Sequence, residues 1–137
     1  MAEAKFFIDR SLGAHIIPTA LSDAGWHIVT MRERYGEMPG QRLSDTTWIR
    51  EAAEAGEAIL TKDDHVARRP AEVQTIYMCD ARVFAFAKAE LTADQMVAIL
   101  LEKTESIRRW ATRAHGPYVA SLRAGLSIRR RRLNFPT

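Results

Sequence analysis

The chain has 137 residues, enough for one domain with its own core, and is 47% hydrophobic and 27% charged. This composition is ordinary for a globular protein, and no stretch approaches the roughly 20 apolar residues that a membrane span needs. The single Cys79 excludes an internal disulfide and a zinc site built on several cysteines. Since residues 1–20 also lack the apolar core of a secretory signal, the sequence predicts a cytoplasmic protein with no membrane partner.

The net charge is +3, but acids and bases are unevenly distributed along the chain. The segment from Ser106 to Thr137 holds eight arginines and no acid. The first 105 residues carry 12 bases and all 17 acids, a net charge of −5. This pattern indicates an acidic body with a basic end. Two interpretations stay open: the basic end is a solvated or docked segment, or it binds a polyanion such as RNA.

Short apolar runs alternate with helical patterns in chain order. β-Branched and apolar runs predict strands, whereas apolar residues at helical spacing predict helices. The expected strands are 5–9, 27–31 and 58–62, and the expected helices are 16–24, 44–56 and 92–114. Glycine and proline predict a loop over 32–42. The remaining segments are 75–79 and 82–87, read as two short strands or a strand and an irregular stretch, and 118–133, read as a hairpin around Ala124-Gly125.

Strands of about five residues that alternate with helices predict an α/β fold with a short, mainly parallel sheet flanked by helices. We expect one compact domain, with its main body over residues 1–116 and a basic C-terminal hairpin or tail over 117–137. Ligands of such sheets gather outside the carboxyl ends of the strands. Polar residues at those ends are therefore the first candidates for a functional site.

Four carboxylates are expected near the carboxyl edge of this sheet. Asp9 ends the first strand, and the third strand runs through "ILTKDDHV" into Asp63 and Asp64. Asp45 opens the helix that follows the second strand. Each acid alone has a structural explanation as a helix cap or turn residue. Their convergence on one edge favours a shared function.

A cluster of carboxylates requires a cation, because like charges in a small volume repel each other. Hard oxygen ligands suit Mg²⁺ or Mn²⁺. An ion held in this way can activate water and bind a phosphate oxygen, which is the chemistry of phosphodiester cleavage. No Gly-rich phosphate loop, G-x-S-x-G elbow or Cys–His pair is found, which argues against P-loop hydrolysis and acyl transfer.

The order "FFIDRSLG…LSDAGWHIVTMRERYG…SDTTWIREAAEAGEAILTKDDHV" over residues 5–66 resembles the PIN-like nucleases, in particular VapC-type toxins of toxin–antitoxin pairs. That branch runs strand-Asp, helix, strand ending V-R-E, Gly-containing loop, Asp opening a helix, and L-T-x-D. The resemblance implies a three-layer fold and Mg²⁺- or Mn²⁺-dependent RNA cleavage. Asp9, Asp45 and Asp63 fall on the acidic positions of the family, and Arg32 matches the V-R-E segment.

The sequence departs from the family pattern at two positions. Arg10 follows the first aspartate where the family often has an acid, and His65 stands where a second aspartate often closes the motif, with Asp64 between. A site with fewer acids favours one-metal catalysis, with Arg10 or Lys62 on the phosphate. The alternatives are that Arg10 is a charge partner of Asp45 and that His65 only closes a turn.

The leading hypothesis is a metal-dependent endoribonuclease that acts as a toxin. Asp9, Asp45 and Asp63 are expected to bind the metal, and Asp64 to be a further ligand or to orient water. All four acids are therefore candidate catalytic residues. The expected substrate-binding residues are Arg10, Arg32, Lys62, His65, Arg129, Arg130, Arg131 and Arg132.

Two rival hypotheses remain. One is a PIN-like module that binds RNA or protein without cutting, which the missing acids favour. The other is a receiver-like phosphoacceptor domain, although Asp9-Arg10-Ser11 does not supply its acidic pair. The expected partners of the toxin are an RNA substrate and a cognate, DNA-binding antitoxin. A homodimer through the 92–114 helix and the "VFAFA" run is left open.

Overall fold

Six strands form one sheet in the computed structural model, which describes residues 4–37, 39, 43–62 and 64–133. The spatial order of the strands is β2-β1-β3-β4-β5-β6. Strands β1 to β5 are parallel to one another, and β6 is antiparallel to β5. The strands are β1 (Lys5–Ile8), β2 (His27–Thr30), β3 (Ala58–Thr61), β4 (Arg82–Phe86), β5 (Tyr118–Leu122) and β6 (Arg129–Arg131).

Six helices and two short turns of 3₁₀-helix connect these strands within the described residues. The 3₁₀ turns are Arg10–Leu12, directly after β1, and Asp64–Ala67, shortly after β3. The helices are α1 (Ile16–Asp23), α2 (Met31–Tyr35), α3 (Asp45–Glu54), α4 (Pro70–Met78), α5 (Ala93–Glu102) and α6 (Thr104–Arg113).

The sheet is covered on both faces, as the hydrophobic runs of its parallel strands require. Because side chains alternate along a strand, Phe6 and Ile8 pack with α1, α5 and α6 on one face. Phe7 packs on the other face with α2, α3, α4 and the second 3₁₀ turn, where its ring stacks on Trp48 at 5.6 Å. This three-layer arrangement confirms the predicted α/β fold with a mainly parallel sheet.

Three local predictions were wrong. The predicted loop over 32–42 begins with helix α2, because Thr30 and Glu33 form a reciprocal capping box. Segment 75–79 is not a strand, because residues 75–78 belong to α4. Pro70 is the first residue of this helix, a position where proline is favoured. The long helix over 92–114 is two helices that meet at Lys103, whose buried ammonium donates to the Leu126 carbonyl.

The chain after residue 117 is part of the sheet. The hairpin pattern over 118–133 corresponds to the antiparallel pair β5–β6, and β5 also pairs in parallel with β4. The "VFAFA" run belongs to β4, where Val83 to Phe86 are buried within the sheet, so it offers no face for a dimer. None of the helices in the described part of the chain is long and apolar enough to cross a membrane.

Candidate active site at the carboxyl edge of the sheet

Asp9 directly follows β1 and lies beside the end of the neighbouring strand β3. Its backbone N–H donates to the Leu60 carbonyl at 3.2 Å, and only 5% of the residue is exposed. The carboxylate accepts hydrogen bonds from the backbone N–H of Ser11, at 2.6 Å, and from the Ser11 hydroxyl. That hydroxyl lies 3.3 Å from Thr61 Oγ1 and accepts from the Lys62 N–H at 2.9 Å. Ser11 therefore connects Asp9 to the end of β3.

Burial raises the pKa of the Asp9 carboxyl above its ordinary value, because an ion out of water is less stable than the neutral acid. Hydrogen bonds from Ser11 and Thr61 lower this pKa, and the negative charge of Asp45 raises it. The two carboxylates are thus close enough to repel each other. This repulsion is the electrostatic condition that the sequence predicted for the edge of the sheet.

Asp45 is the first residue of α3, which Ser44 caps through its side chain. One carboxylate oxygen of Asp45 accepts from Arg10 Nη2 and from the Trp48 indole N–H, each at 3.0 Å. The other oxygen lies 3.6 Å from Arg69 Nη1. Two guanidinium groups therefore balance the charge of Asp45 at the edge of the sheet.

Arg10 and Arg69 contact different oxygens of the Asp45 carboxylate. Arg10, directly after Asp9, also donates to the Leu43 carbonyl at 3.0 Å. Arg69 precedes α4 and also lies 3.6 Å from Glu72. The pairing of Arg10 with Asp45 is the alternative that the sequence left open. The same position allows Arg10 to bind a phosphate, because its guanidinium lies next to Asp45 and the residue directly follows Asp9.

The structure describes one of the two acids of "KDDH". Asp63 lies outside the described residues. Asp64 begins the second 3₁₀ turn, is 14% exposed, and pairs through Oδ2 with Arg131 Nη2 at 3.5 Å. His65 lies in the same turn, with a ring nitrogen 3.1 Å from Arg68 Nη2. Asp64 therefore links the end of β3 to the basic strand β6.

A cavity of about 220 Å³ opens beside Asp9 on the side of β1 and β2. Its wall combines the carboxylate with two guanidinium groups and an imidazole, from Arg10, Arg32 and His15. Arg32 also lies 3.7 Å from Glu37 in an exposed ion pair. Of the predicted substrate-binding residues, Arg10 and Arg32 thus share one cavity with Asp9.

The four C-terminal arginines do not share one environment. The guanidinium of Arg130 lies over the rings of Trp110 and Tyr118, at 5.6 and 5.2 Å from their centroids. Arg131 is the partner of Asp64. Because strand side chains alternate between faces, consecutive arginines of β6 point to opposite sides of the sheet.

The oxygen donors of Asp9 and Asp45 fit a divalent cation in their chemistry. Both are hard carboxylate ligands, and a bound cation would offset the burial of the Asp9 charge, the main cause of its raised pKa, as well as the smaller repulsion from Asp45. Within the described ranges, which omit Asp63, no group of three or more His, Cys, Asp or Glu residues is arranged to hold a metal. The pair therefore supplies part of a ligand set, and Asp45 must exchange its guanidinium partners to bind an ion.

Sequence reasoning missed two residues of this site. Ser11 carries a usable signal, because Asp-x-Ser after a strand is typical of a side-chain turn in which Asp accepts from the residue two positions on. Arg69 carries none: it is one arginine of an "ARRP" segment, and only the path of the second 3₁₀ turn brings it to Asp45.

Comparison with known proteins gives two matches and one absence. A family model described as "PIN like domain" matches residues 4–88. A protein of Mycobacterium tuberculosis (strain ATCC 25618 / H37Rv) with the name "Putative ribonuclease VapC45" is 37% identical over 123 residues, which cover 90% of this chain and 88% of that protein. No solved structure matches the chain significantly. The family match includes Asp9 and Asp45, while the relative's match extends beyond it into the C-terminal third.

Proposed function

Since this chain belongs to the PIN-like domain family and to its VapC-type branch, we propose that it is a metal-dependent endoribonuclease and the toxin of a toxin–antitoxin pair. The observation that carries the proposal is the buried carboxylate of Asp9, which lies close enough to Asp45 for the two charges to repel at the carboxyl edge of a parallel sheet. The name of the mycobacterial relative, a ribonuclease, supports RNA as the substrate class.

In this proposal Asp9, Asp45 and Asp63 hold Mg²⁺ or Mn²⁺. When bound, such an ion lowers the pKa of water and neutralises charge on a phosphate. Ser11 holds the Asp9 carboxylate in position through two donors, from its backbone and its hydroxyl. Asp64 orients water or adds a ligand.

The substrate phosphates are assigned to the cations around this edge. Arg10 is adjacent to both carboxylates and can exchange its contact with Asp45 for a bidentate contact with the scissile phosphate. Lys62 follows β3 next to the ligands. Arg32, beside Asp9, and His65, after β3, are assigned to neighbouring phosphates. Arg129, Arg131 and Arg132 of the C-terminal segment are assigned to the RNA backbone.

An RNA-binding or protein-binding module without nuclease activity is the second candidate. One observation favours it: Asp45 is already neutralised by Arg10 and Arg69, so the edge is electrostatically satisfied without an ion. In that case added metal would change neither stability nor RNA integrity.

The test is cleavage of a labelled RNA pool with Mg²⁺, Mn²⁺ or EDTA. We expect cleavage by the wild-type chain with either ion and its loss in EDTA. Asp9→Asn and Asp45→Asn, purified identically, should both abolish it. The matched control is Asp23→Asn, which removes an exposed acid at the end of α1. Equal activity of Asp9→Asn and wild type would mean that the nuclease is a contaminant or that the site lies elsewhere.

The proposed partner is an antitoxin that covers the carboxylate edge with an arginine or lysine. A guanidinium can satisfy a carboxylate pair and exclude the metal. Asp45 already accepts guanidinium partners, since it pairs with Arg10 and Arg69 in the unbound chain. Co-expression with the product of the adjacent gene and an RNA assay on the purified complex test this. A tight complex with full activity would show that inhibition does not act through the site.

A further inference from the structure

We propose that a groove between the second 3₁₀ turn and strand β6 binds the phosphodiester backbone of single-stranded RNA. We call it the arginine groove and define it by Arg68, Ser121, Arg123, Arg129, Arg131 and Arg132. The inference deepens the proposed function, on which it rests for the identity of the polyanion. It assigns roles to Arg68, Arg123 and Ser121, and it removes Arg130 from the RNA-binding set.

The charge of the arginine groove selects an anion. Its volume is about 670 Å³, and none of the ten residues that line it is acidic. Six of the ten are arginines, of which Arg130 directs its guanidinium to the rings of Trp110 and Tyr118 instead. A cleft lined by charges of one sign concentrates counter-ions of the opposite sign. A groove of this volume, with arginines from several segments, fits the repeated phosphates of a nucleic acid strand better than a single small anion.

The register of the hairpin decides which arginines face the groove. Arg129 pairs with Ser121 and Arg131 pairs with Val119, so their side chains lie on the same face of the sheet as these partners. Arg130 points to the opposite face, where its guanidinium covers the rings of Trp110 and Tyr118. Strand β6 thus contributes alternate charges to the groove and uses the remaining one in packing.

Ser121 gives an independent indication of a ligand. The residue is only 4% exposed, lines the groove, and its hydroxyl has no hydrogen-bond partner among the described residues. A buried hydroxyl without a partner is unfavourable, so native structures rarely keep one without a reason. A phosphate oxygen beside Arg129 would accept its proton and satisfy it.

The position of the groove connects it to the carboxylate edge. Arg131 pairs with Asp64 at 3.5 Å, and Asp64 is the start of the turn that leaves β3. Arg68, on the other side of the groove, contacts His65 in the same turn at 3.1 Å. A strand of RNA in the groove therefore passes beside Asp64 and His65, which favours RNA over an acidic protein as the occupant.

The experiment measures RNA binding without cleavage. Binding of a fluorescent single-stranded RNA of about 12 nucleotides is followed by anisotropy in EDTA over a range of salt concentrations. Arg68→Gln and Arg129→Gln should each reduce the magnitude of the log–log salt slope by about 0.7, the value for one phosphate contact on a single strand. Ser121→Ala should leave the slope unchanged and weaken binding about 3- to 10-fold, as expected for one lost hydrogen bond.

Two arginine variants serve as controls for loss of charge. Arg130→Gln removes a charge from the same strand but from the other face, so it should lower the Tm and leave the slope unchanged. Arg108→Gln, on α6 beside Glu105, should change neither. Ser121→Ala should have a Tm equal to or above that of wild type, because it removes a buried hydroxyl that has no partner in the unliganded chain.

Two outcomes would overturn the groove proposal. If Arg68→Gln and Arg129→Gln leave the salt slope at the wild-type value, the groove does not bind RNA. If they leave the slope unchanged but weaken binding of the antitoxin, the occupant is an acidic protein segment. Cleavage assays on Asp9→Asn and on the groove variants separate the groove proposal from the proposed nuclease function. If Asp9→Asn loses cleavage but the groove variants keep the wild-type salt slope, only the groove proposal is refuted. If the groove variants change the slope but no variant or wild type shows metal-dependent cleavage, only the nuclease function is refuted.

Discussion

At the scale of single residues, the charge of Asp9 is the feature that needs explanation. A carboxylate that is 5% exposed and repelled by Asp45 opposes folding of the metal-free chain, and the donors of Ser11 offset this in part. Active sites commonly combine buried groups with neighbouring like charges in this way. A bound cation then supplies the positive charge that the folded chain does not place there. The same residues give two predictions.

The first prediction is that Asp9→Asn stabilises the metal-free protein at neutral pH. The pKa of Asp9 is raised above 3.8 in the native state, so the native state holds this proton to higher pH than the unfolded state. The contribution of Asp9 to stability is therefore present below about pH 4 and is lost as the pH rises through the native pKa. Thermal melts in EDTA should show a higher Tm for the variant at pH 7, by about 2–6 °C for roughly 1 kcal/mol, and a smaller difference at pH 4.

The opposite trend would contradict this prediction. A variant that is less stable than wild type at pH 7 in EDTA would show that the hydrogen bonds from Ser11 outweigh burial. Asp23→Asn, which removes an exposed charge, controls for the change in net charge and should keep the wild-type pH dependence within error.

The second prediction is that Arg10→Gln tightens metal binding while it weakens substrate binding. The guanidinium of Arg10 competes with a cation for Asp45, so its removal should lower the Kd for Mn²⁺, by about 10-fold if the competition costs 1.4 kcal/mol. The KM for RNA should rise, because a phosphate ligand is lost. Mn²⁺ titration by electron paramagnetic resonance checks the first part and steady-state cleavage the second.

Arg50→Gln is the matched control for the Arg10 variant. Arg50 lies on α3, the helix that carries Asp45, but it is half-exposed and pairs with Glu54. It should change neither the Kd for Mn²⁺ nor the KM. An Arg10→Gln variant with weaker Mn²⁺ binding would show that Arg10 positions Asp45 for the ion and does not compete with it.

At the scale of elements, the C-terminal hairpin depends on one close backbone approach. Gly116 precedes β5, and a Cβ at this position would overlap with the Asp80 carbonyl oxygen. Tyr118 then donates its N–H to the Ala81 carbonyl at 3.0 Å, which begins the pairing of β5 with β4. Glycine at 116 thus allows β5 to enter the sheet and to carry β6 with it.

The third prediction follows from this approach. Gly116→Ala should destabilise the chain by about 1–3 kcal/mol or more, because the backbone of the Asp80 turn must move to admit a methyl group. The control is Gly125→Ala, where a Cβ meets open space and only the positive φ of 70° is unfavourable, about 1–2 kcal/mol. Urea unfolding of both variants measures the difference. A Gly116→Ala protein as stable as wild type would contradict the argument.

At the scale of the whole molecule, the parallel arrangement of β1 and β3 creates the site. Parallel neighbours end at the same edge, so residues after β1 and β3 meet there although about 50 residues separate them in the chain. Asp9 and Asp45 lie at this edge, and Arg123 and Arg129 to Arg132 border the groove at the β6 end of the same sheet. Part of the basic C-terminal segment thus lies on the sheet that carries the candidate site.

The fourth prediction concerns the stability of the whole domain with metal. An ion that binds only the native state stabilises it by about 2.7 kcal/mol at one hundred times its Kd. The Tm should therefore rise with millimolar Mn²⁺ in wild type, and Asp9→Asn and Asp45→Asn should lose most of this rise. A Tm that does not change across the titration would refute the metal site.

The sequence by itself determined the layers of the fold and predicted the sheet edge on which the candidate site lies. The alternation of apolar strands with amphipathic helices predicts a mainly parallel sheet, since such strands must be buried on both faces. The position of Asp9 after β1 then predicts the edge on which it lies. Local errors arose where side-chain capping or packing outweighed composition, as in α2, which the capping box of Thr30 and Glu33 starts.

Only the tertiary structure decided which charges meet. The contacts of Asp45 with Arg69, of Asp64 with Arg131 and of Arg130 with the aromatic rings join residues that no local pattern relates. Each contact depends on the path of a turn or on the register of a strand pair, which the whole core fixes. A shift of one residue in the β5–β6 register would exchange the faces of the arginines, because strand side chains alternate with a period of two.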